Sequence, residues 1–173
     1  MEKAALRRFA KSRAHKLDLA RFAEVALPLL AEALEGRSRI LIYHPLKDEP
    51  DPRGLTELLP RARFFLPKVS GEDLLVLPFE APLVRGELGV MEPSGADPVP
   101  PDSLDAVVVP ALLFDRGRYR LGRGKGYYDR FLKGLPKDVL RVGFLPSALV
   151  VERLPRDPWD EPVDLVVTEE GVF

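Results

Sequence analysis

The stretch LGRGKGYYDRFL, residues 121–132, concentrates residue types that hold an anion. Gly122, Gly124 and Gly126 alternate with Arg123 and Lys125, and Tyr127, Tyr128, Asp129 and Arg130 follow at once. Glycine lacks a Cβ, so its backbone N–H can approach a ligand closely and its φ can be positive. The loop opens a predicted helix, and a helix N-terminus presents unpaired N–H groups and partial positive charge. Arg123 and Lys125 add full charges and the stronger, charge-assisted class of hydrogen bond. The pattern reads as a phosphate loop, but of no standard type. The nucleotide P-loop needs Ser or Thr after its Lys, and Gly126 stands there. The dinucleotide fingerprint needs Gly at position 127, and Tyr127 stands there. The bland alternative is a tight turn with solvated cations. An RNA-binding Arg-Gly segment is disfavoured, because the stretch is short and lies between strong structural elements.

Other residues have the chemistry of a site but not its spacing. Lys3 and Arg7 share one face of a predicted helix, where a cation pair is ordinarily solvated. Glu49 stands in a proline-rich loop, and His44 ends a predicted strand. Asp129 falls in a helix's first turn, where the helix N-terminus alone stabilises a carboxylate. Asp160, beside Trp159 and Pro158, is compatible with a plain turn.

The elements that must position these residues follow from periodicity. Residues 2–35 predict two helices, with Ser12 and Asp18 as candidate caps and Gly36 as the stop. SRILIYHP, ARFFLP and DLLVLPF predict strands, and LTELL a short helix. Residues 80–103 are rich in Pro, Gly and small residues and have no clear period. LDAVVVPALLF is apolar without alternation and predicts one strand buried on both faces. LRVGFLP and VDLVVTEEG add two more. Strands alternating with helices imply an α/β layered sandwich with a mostly parallel or mixed sheet, over 1–173 as one domain.

The totals exclude several classes. A chain of 173 residues buries roughly 70% of its unfolded surface and needs no disulfide staples. With no Cys it has no thiol nucleophile and no thiolate metal site. A net charge of −1 gives no long-range attraction to nucleic acid or membrane, so neither is an expected partner. The charged start MEKAALRRFAKSR has no signal-type apolar core, and no run approaches a membrane span. A soluble cytoplasmic protein, monomeric or weakly self-associating, is expected. The lack of Asn and Gln, with frequent Pro, points to a heat-adapted source.

Taken whole, RLGRGKGYYDRFL resembles the signature of the 5-formyltetrahydrofolate cyclo-ligase (methenyltetrahydrofolate synthetase) family. The resemblance extends over nearly the full chain, in the family's order. Lys3, Leu6 and Arg7 match its opening Lys-x-x-Leu-Arg, and Asp48 and Glu49 its Asp-Glu pair. Glu92 and Pro93 match a Glu-Pro, and Pro110, Phe114 and Asp115 the lead-in to the loop, with Gly117 one place early. Asp160 precedes VDLVVTEEG where many members carry His-Asp, and Trp159 replaces that histidine.

The resemblance implies ATP-dependent conversion of 5-formyltetrahydrofolate (folinate) to 5,10-methenyltetrahydrofolate, with ADP and phosphate released and Mg²⁺ required. It implies a fold similar to ribose-phosphate isomerase and CoA-transferase proteins. Arg123, Lys125 and Tyr127 are then the catalytic residues. Lys3, Arg7, Arg120, Gly122, Gly124 and Gly126 contact ATP. His44, Glu49 and the 123–127 stretch line the folate pocket, and Asp129 and Asp160 hold the metal. A competing reading is a phosphosugar or CoA-ester enzyme on a related fold. The two carboxylates favour the first, since a phosphate-only site has little use for them without a metal.

Overall fold

A computed structural model describes residues 2–173 of the chain. Two helices open it, α1 (Lys3–Ala14) and α2 (Leu19–Ala33). The Asp18 side chain caps α2, accepting from the Arg21 N–H, and Gly36 beyond the helix takes a left-handed φ of 86°. Ser12, the other candidate cap, lies inside α1. There follow β1 (Arg39–Leu41), α3 (Leu55–Leu58), β2 (Arg63–Ser70) and β3 (Asp73–Pro78). A hairpin of β4 (Leu83–Arg85) and β5 (Met91–Pro93) occupies the stretch without a sequence period. Next come β6 (Ala106–Val109), β7 (Leu113–Asp115), β8 (Arg120–Leu121) and α4 (Tyr127–Lys133). The chain closes with β9 (Leu140–Phe144), β10 (Val150–Val151), β11 (Leu165–Thr168) and β12 (Gly171–Val172).

Seven strands form one mixed sheet in the order β12-β11-β9-β6-β1-β2-β3. The pairings among β11, β9, β6, β1 and β2 are parallel, and the edge strands β12 and β3 are antiparallel. Alternate residues divide between two cores. Ile40, Phe64, Leu66, Val108 and Val142 pack on the face where Phe22, Ala26 and Leu30 of α2 lie. Leu41, Phe65, Val107 and Val109 pack on the other, with Ala10 of α1, Leu132 of α4 and Phe114 of β7. Both faces are covered, so the strands carry unbroken apolar runs, and the α/β class follows.

The run AVVVPALLFD is not one strand. Pro110 cannot donate to a ladder, and the chain leaves the large sheet there. Leu113–Asp115 enter a separate three-stranded sheet, β10-β7-β8. Asp115, fully buried, organises its turn. Its carboxylate accepts from the backbone N–H groups of Tyr119 (3.0 Å) and Leu154 (2.9 Å) and from Arg156 (3.2 Å). The Phe-Asp of the lead-in is therefore structural: Phe114 fills the core and Asp115 aims β8, from which the glycine loop departs.

Phe114 also fixes a contact across the layers. A Cβ built on Gly143 of β9 would lie 2.4 Å from the Phe114 ring. Gly143→Ala overpacks that core and should destabilise the fold by about 1–3 kcal/mol. Urea denaturation reads this directly, and an unchanged midpoint would show that the ring shifts freely.

Candidate active site

β1 lies between β2 on one side and β6 on the other, so strand order reverses at the β1/β6 boundary. In open α/β sheets, ligands bind beyond the C-terminal ends of strands at such a switch point. A cavity of about 320 Å³ lies there. Leu46 and Glu49, after β1, and Pro110, Ala111 and Leu112, after β6, form part of its wall. That volume is within the range of small-molecule sites.

The glycine loop forms another wall. Gly124 and Gly126 have φ of 101° and 74°, values that any side chain would strain. Arg7 of α1 donates through Nε to the Gly122 carbonyl at 2.9 Å, tying the first helix to the loop. At the far end Arg141 of β9 donates to the Leu132, Leu135, Pro136 and Val139 carbonyls, closing the C-terminus of α4. The loop and its helix are thus held from both sides.

The cavity has a charged end and an apolar end. At the charged end Lys3 lies 2.6 Å from Asp157 and 2.9 Å from Asp160. Burial pulls the Lys3 pKa down, but the two carboxylates more than offset it and the net direction is up. Arg120, with a 7% exposed side chain, donates to Asp129 at 3.3 Å and to the Pro110 carbonyl at 3.1 Å. Burial lowers its pKa, opposed mainly by Asp129. Its guanidinium also lies over the Tyr128 ring. Arg123 pairs with Asp48 and Glu49. Lys125 is exposed on the loop, and its ammonium is the lining cationic group with no ion pair or hydrogen bond among the described residues; only its carbonyl is engaged, by Arg130.

The apolar end is built from Pro67, Val69 and Leu74 of the β2–β3 hairpin and from Leu88 and Val90 in the β4–β5 turn. Glu92, 5% exposed, accepts from the Val69 N–H at 2.8 Å and so pins one hairpin to the other. Tyr127 lines the cavity with its ring and donates its hydroxyl to the Gly71 carbonyl at 2.9 Å. Arg130 donates twice to the Glu72 carbonyl, which holds α4 against the β2–β3 turn.

Of the residues singled out in the sequence, Lys3, Arg7, Glu49, Arg120, the 122–127 loop, Asp129 and Asp160 meet at this cavity. His44 does not. Tyr43 is buried, and the His44 ring turns to Arg53, whose guanidinium lies 3.0 Å from Nε2. Arginine has no acceptor, so that ring nitrogen must accept. Burial and then the Arg53 charge lower the His44 pKa. Asp157, Glu92, Trp159 and the β4–β5 turn enter the wall unpredicted. The spacing of Asp157 and Asp160 on one turn was the signal available for the first.

Asp129 and Asp160 also bear on the metal expectation. Among the described residues no three carboxylates or imidazoles gather into a protein-only metal cluster. Each aspartate faces the cavity with one oxygen engaged, by Arg120 or by Lys3 and the Asp157 N–H, and the other without a hydrogen bond. Two free carboxylate oxygens fit a hard cation such as Mg²⁺ whose remaining ligands are phosphate and water oxygens.

Glu49 gives this end of the cavity a pH signature. Burial raises its pKa above the ordinary 4.5, opposed by the Leu46 N–H, which donates at 2.8 Å, and by Arg123. The folded state then binds more protons than the unfolded one between the two values, so stability falls as pH rises through that window. Glu49→Gln keeps an acceptor for Leu46 and removes the titration. In urea melts across mildly acidic to neutral pH, the wild type should lose stability relative to the variant as pH rises. Parallel curves would place Glu49 in an ordinary solvated environment.

Comparison with known proteins fits this geometry. The model of the 5-formyltetrahydrofolate cyclo-ligase family matches residues 3–169. The chain is 33% identical over 144 residues to the 5-formyltetrahydrofolate cyclo-ligase of Escherichia coli, covering 78% of this chain and 79% of that one. It is 30% identical over 148 residues to that of Mycolicibacterium smegmatis, covering 78% and 75%. The solution structure of Aquifex aeolicus 5,10-methenyltetrahydrofolate synthetase superposes with a TM-score of 0.81 at 36% identity, over 99% of this chain and 92% of that one. The Mycoplasma pneumoniae synthetase shares the fold, with a TM-score of 0.80 at 24% identity over 98% and 99% of the chains. The match runs from Lys3 through the strand that follows Asp160, and so takes in both ends of the chain that meet at the cavity; this chain belongs to the 5-formyltetrahydrofolate cyclo-ligase family.

Proposed function

We propose that the chain converts 5-formyltetrahydrofolate and ATP to 5,10-methenyltetrahydrofolate, ADP and phosphate in this cavity. The observation that carries the reading is the unpaired Lys125 on the glycine loop, between a cationic end suited to a triphosphate and an apolar end suited to a pterin. A formamide oxygen is a poor leaving group. It attacks the γ-phosphorus and ADP departs, which turns that oxygen into a phosphate ester. The folate's 10-position nitrogen then attacks the activated carbon and gives up its proton to water or to the departing phosphate, the C–O bond breaks and inorganic phosphate leaves.

The protein's work is positioning and charge stabilisation. Lys3, Arg7 and Arg120 hold the triphosphate. The Gly122–Gly126 backbone and Lys125 meet charge on the transferring phosphoryl oxygens, with Arg123 beside them. Tyr127 and Glu49 orient the folate, the carboxyl facing the pterin's amino and N–H donors. Asp129 and Asp160 would hold Mg²⁺ shared with ATP, and the ion supplies neutralisation of the β- and γ-phosphate charge. No helix among the described residues is long and apolar enough to cross a membrane.

Folinate with ATP and Mg²⁺ should give the near-ultraviolet absorbance of methenyltetrahydrofolate, and omission of ATP should abolish it. Product without ATP, or none from folded protein, overturns the assignment. Lys125→Ala should lower kcat on the order of 10²-fold with an unchanged melting temperature, since the Lys125 ammonium has no partner in the fold and the carbonyl that Arg130 binds is kept. Full activity would leave Lys125 a solvated loop residue. Asp129→Asn keeps an acceptor for Arg120 and loses the charge. It should raise the Mg²⁺ needed for half-maximal rate, with excess Mg²⁺ restoring part of the loss. An unchanged Mg²⁺ dependence would mean that Asp129 serves Arg120 alone.

A further inference from the structure

Given that the cavity takes ATP, we propose that Trp159 is the stacking platform for the nucleobase and sets nucleotide affinity. Trp159 is the chain's one tryptophan, and it lines the cavity while remaining 60% exposed. No aromatic ring or guanidinium stacks on it among the described residues. A large ring left in water forgoes its burial.

The turn beneath the indole is well fixed. The Asp160 N–H donates to the Asp157 carbonyl at 3.0 Å, and the Asp157 N–H donates to Asp160 Oδ2 at 2.8 Å. Lys3 binds both carboxylates from α1. The backbone that carries this flat apolar ring is therefore fixed on the wall, and the ring has no stacking partner of its own among the described residues.

Its place selects the partner. The turn belongs to the charged end, through Lys3, and the phosphates are held there with Arg7 and Arg120. A nucleoside triphosphate carries its base one ribose beyond the phosphates, so the base is the flat group within reach of this turn. The pterin's apolar wall, Val69, Leu74 and Val90, lies on other elements. The folate's glutamate tail has no flat ring to offer the indole. Stacking accepts any base, so Trp159 contributes affinity and the edge contacts choose the base.

With one tryptophan in the chain, its emission is the readout. A non-hydrolysable ATP analogue should quench it saturably, whereas tripolyphosphate or folinate alone should leave it nearly unchanged. Trp159→Ala should raise KM for ATP about 10-fold, with much smaller changes in kcat and in KM for folinate, and Trp159→Phe should recover most of the loss. Emission indifferent to the analogue, equal quenching by folinate, or an unchanged KM for ATP in Trp159→Ala would each overturn the proposal. The analogue titration involves no turnover. A wild type that quenches but forms no methenyl product would refute the reaction and leave the stack standing.

Discussion

A cavity lined with cations has to stay open before any phosphate enters it. Unpaired, Lys3, Arg120 and Arg123 would repel one another and lose solvation together. The fold sets a carboxylate against each. Asp157 and Asp160 hold Lys3 from more than 150 positions along the chain, Asp129 holds Arg120, and Asp48 with Glu49 holds Arg123. The anionic partners come from three separate segments, so the ion pairs also define where those segments meet. Removing one member would leave its partner partly buried and uncompensated, which is costlier than the pair itself is favourable. The first residues of α1 are thus bound to the last loop, and the cavity exists only when both are in place.

The same constraint explains why so much of the signature is structural. Pro110 ends β6 and sends the chain out of the large sheet, and Asp115 turns it back through β8. The glycine loop then crosses the end of β6 beside the switch point. Gly124 and Gly126 take left-handed backbone, and Arg7 fixes the carbonyl of Gly122. Lys125 alone among the lining cations is spared any such duty. On the proposed mechanism that is the residue whose charge must answer to the substrate and not to the protein.

The sequence shows this arrangement unevenly. The two opening helices, the Asp18 cap, the parallel strands and the glycine loop were legible, because each is written in local spacing. AVVVPALLF reads as one strand because periodicity reports burial and is blind to a change of sheet. The β4–β5 hairpin has strands of three residues each, too short to show a period, and its Leu88 and Val90 reach the cavity only through the tertiary fold. His44 fails for the reverse reason. Its place after a strand is suggestive, but whether its ring meets ligand or Arg53 depends on a residue nine positions away. The family resemblance supplied Lys3, Arg7 and Asp160, whose local contexts are those of solvated side chains. It did not supply Asp157, which completes the pairing of Lys3.

Putting charge at one end of the cavity and apolar surface at the other also separates two demands of the chemistry. Phosphoryl transfer needs fixed positive groups around oxygens that carry changing charge, and such groups act most strongly where water is scarce. Ring closure needs a pterin held flat beside an electrophilic carbon, with water kept from that carbon. One uniform pocket would serve neither, since cations beside the pterin would draw in water and apolar walls beside the triphosphate would leave its charge unmet. The glycine loop is the boundary. It has no bulky side chain between its two cations, and it presents backbone to whichever atom is between the two ends. On the proposed mechanism the ester oxygen that joins phosphorus to the formyl carbon lies at that boundary, within reach of both substrates and of Lys125. The alternation of Gly with Arg and Lys is what such a junction demands.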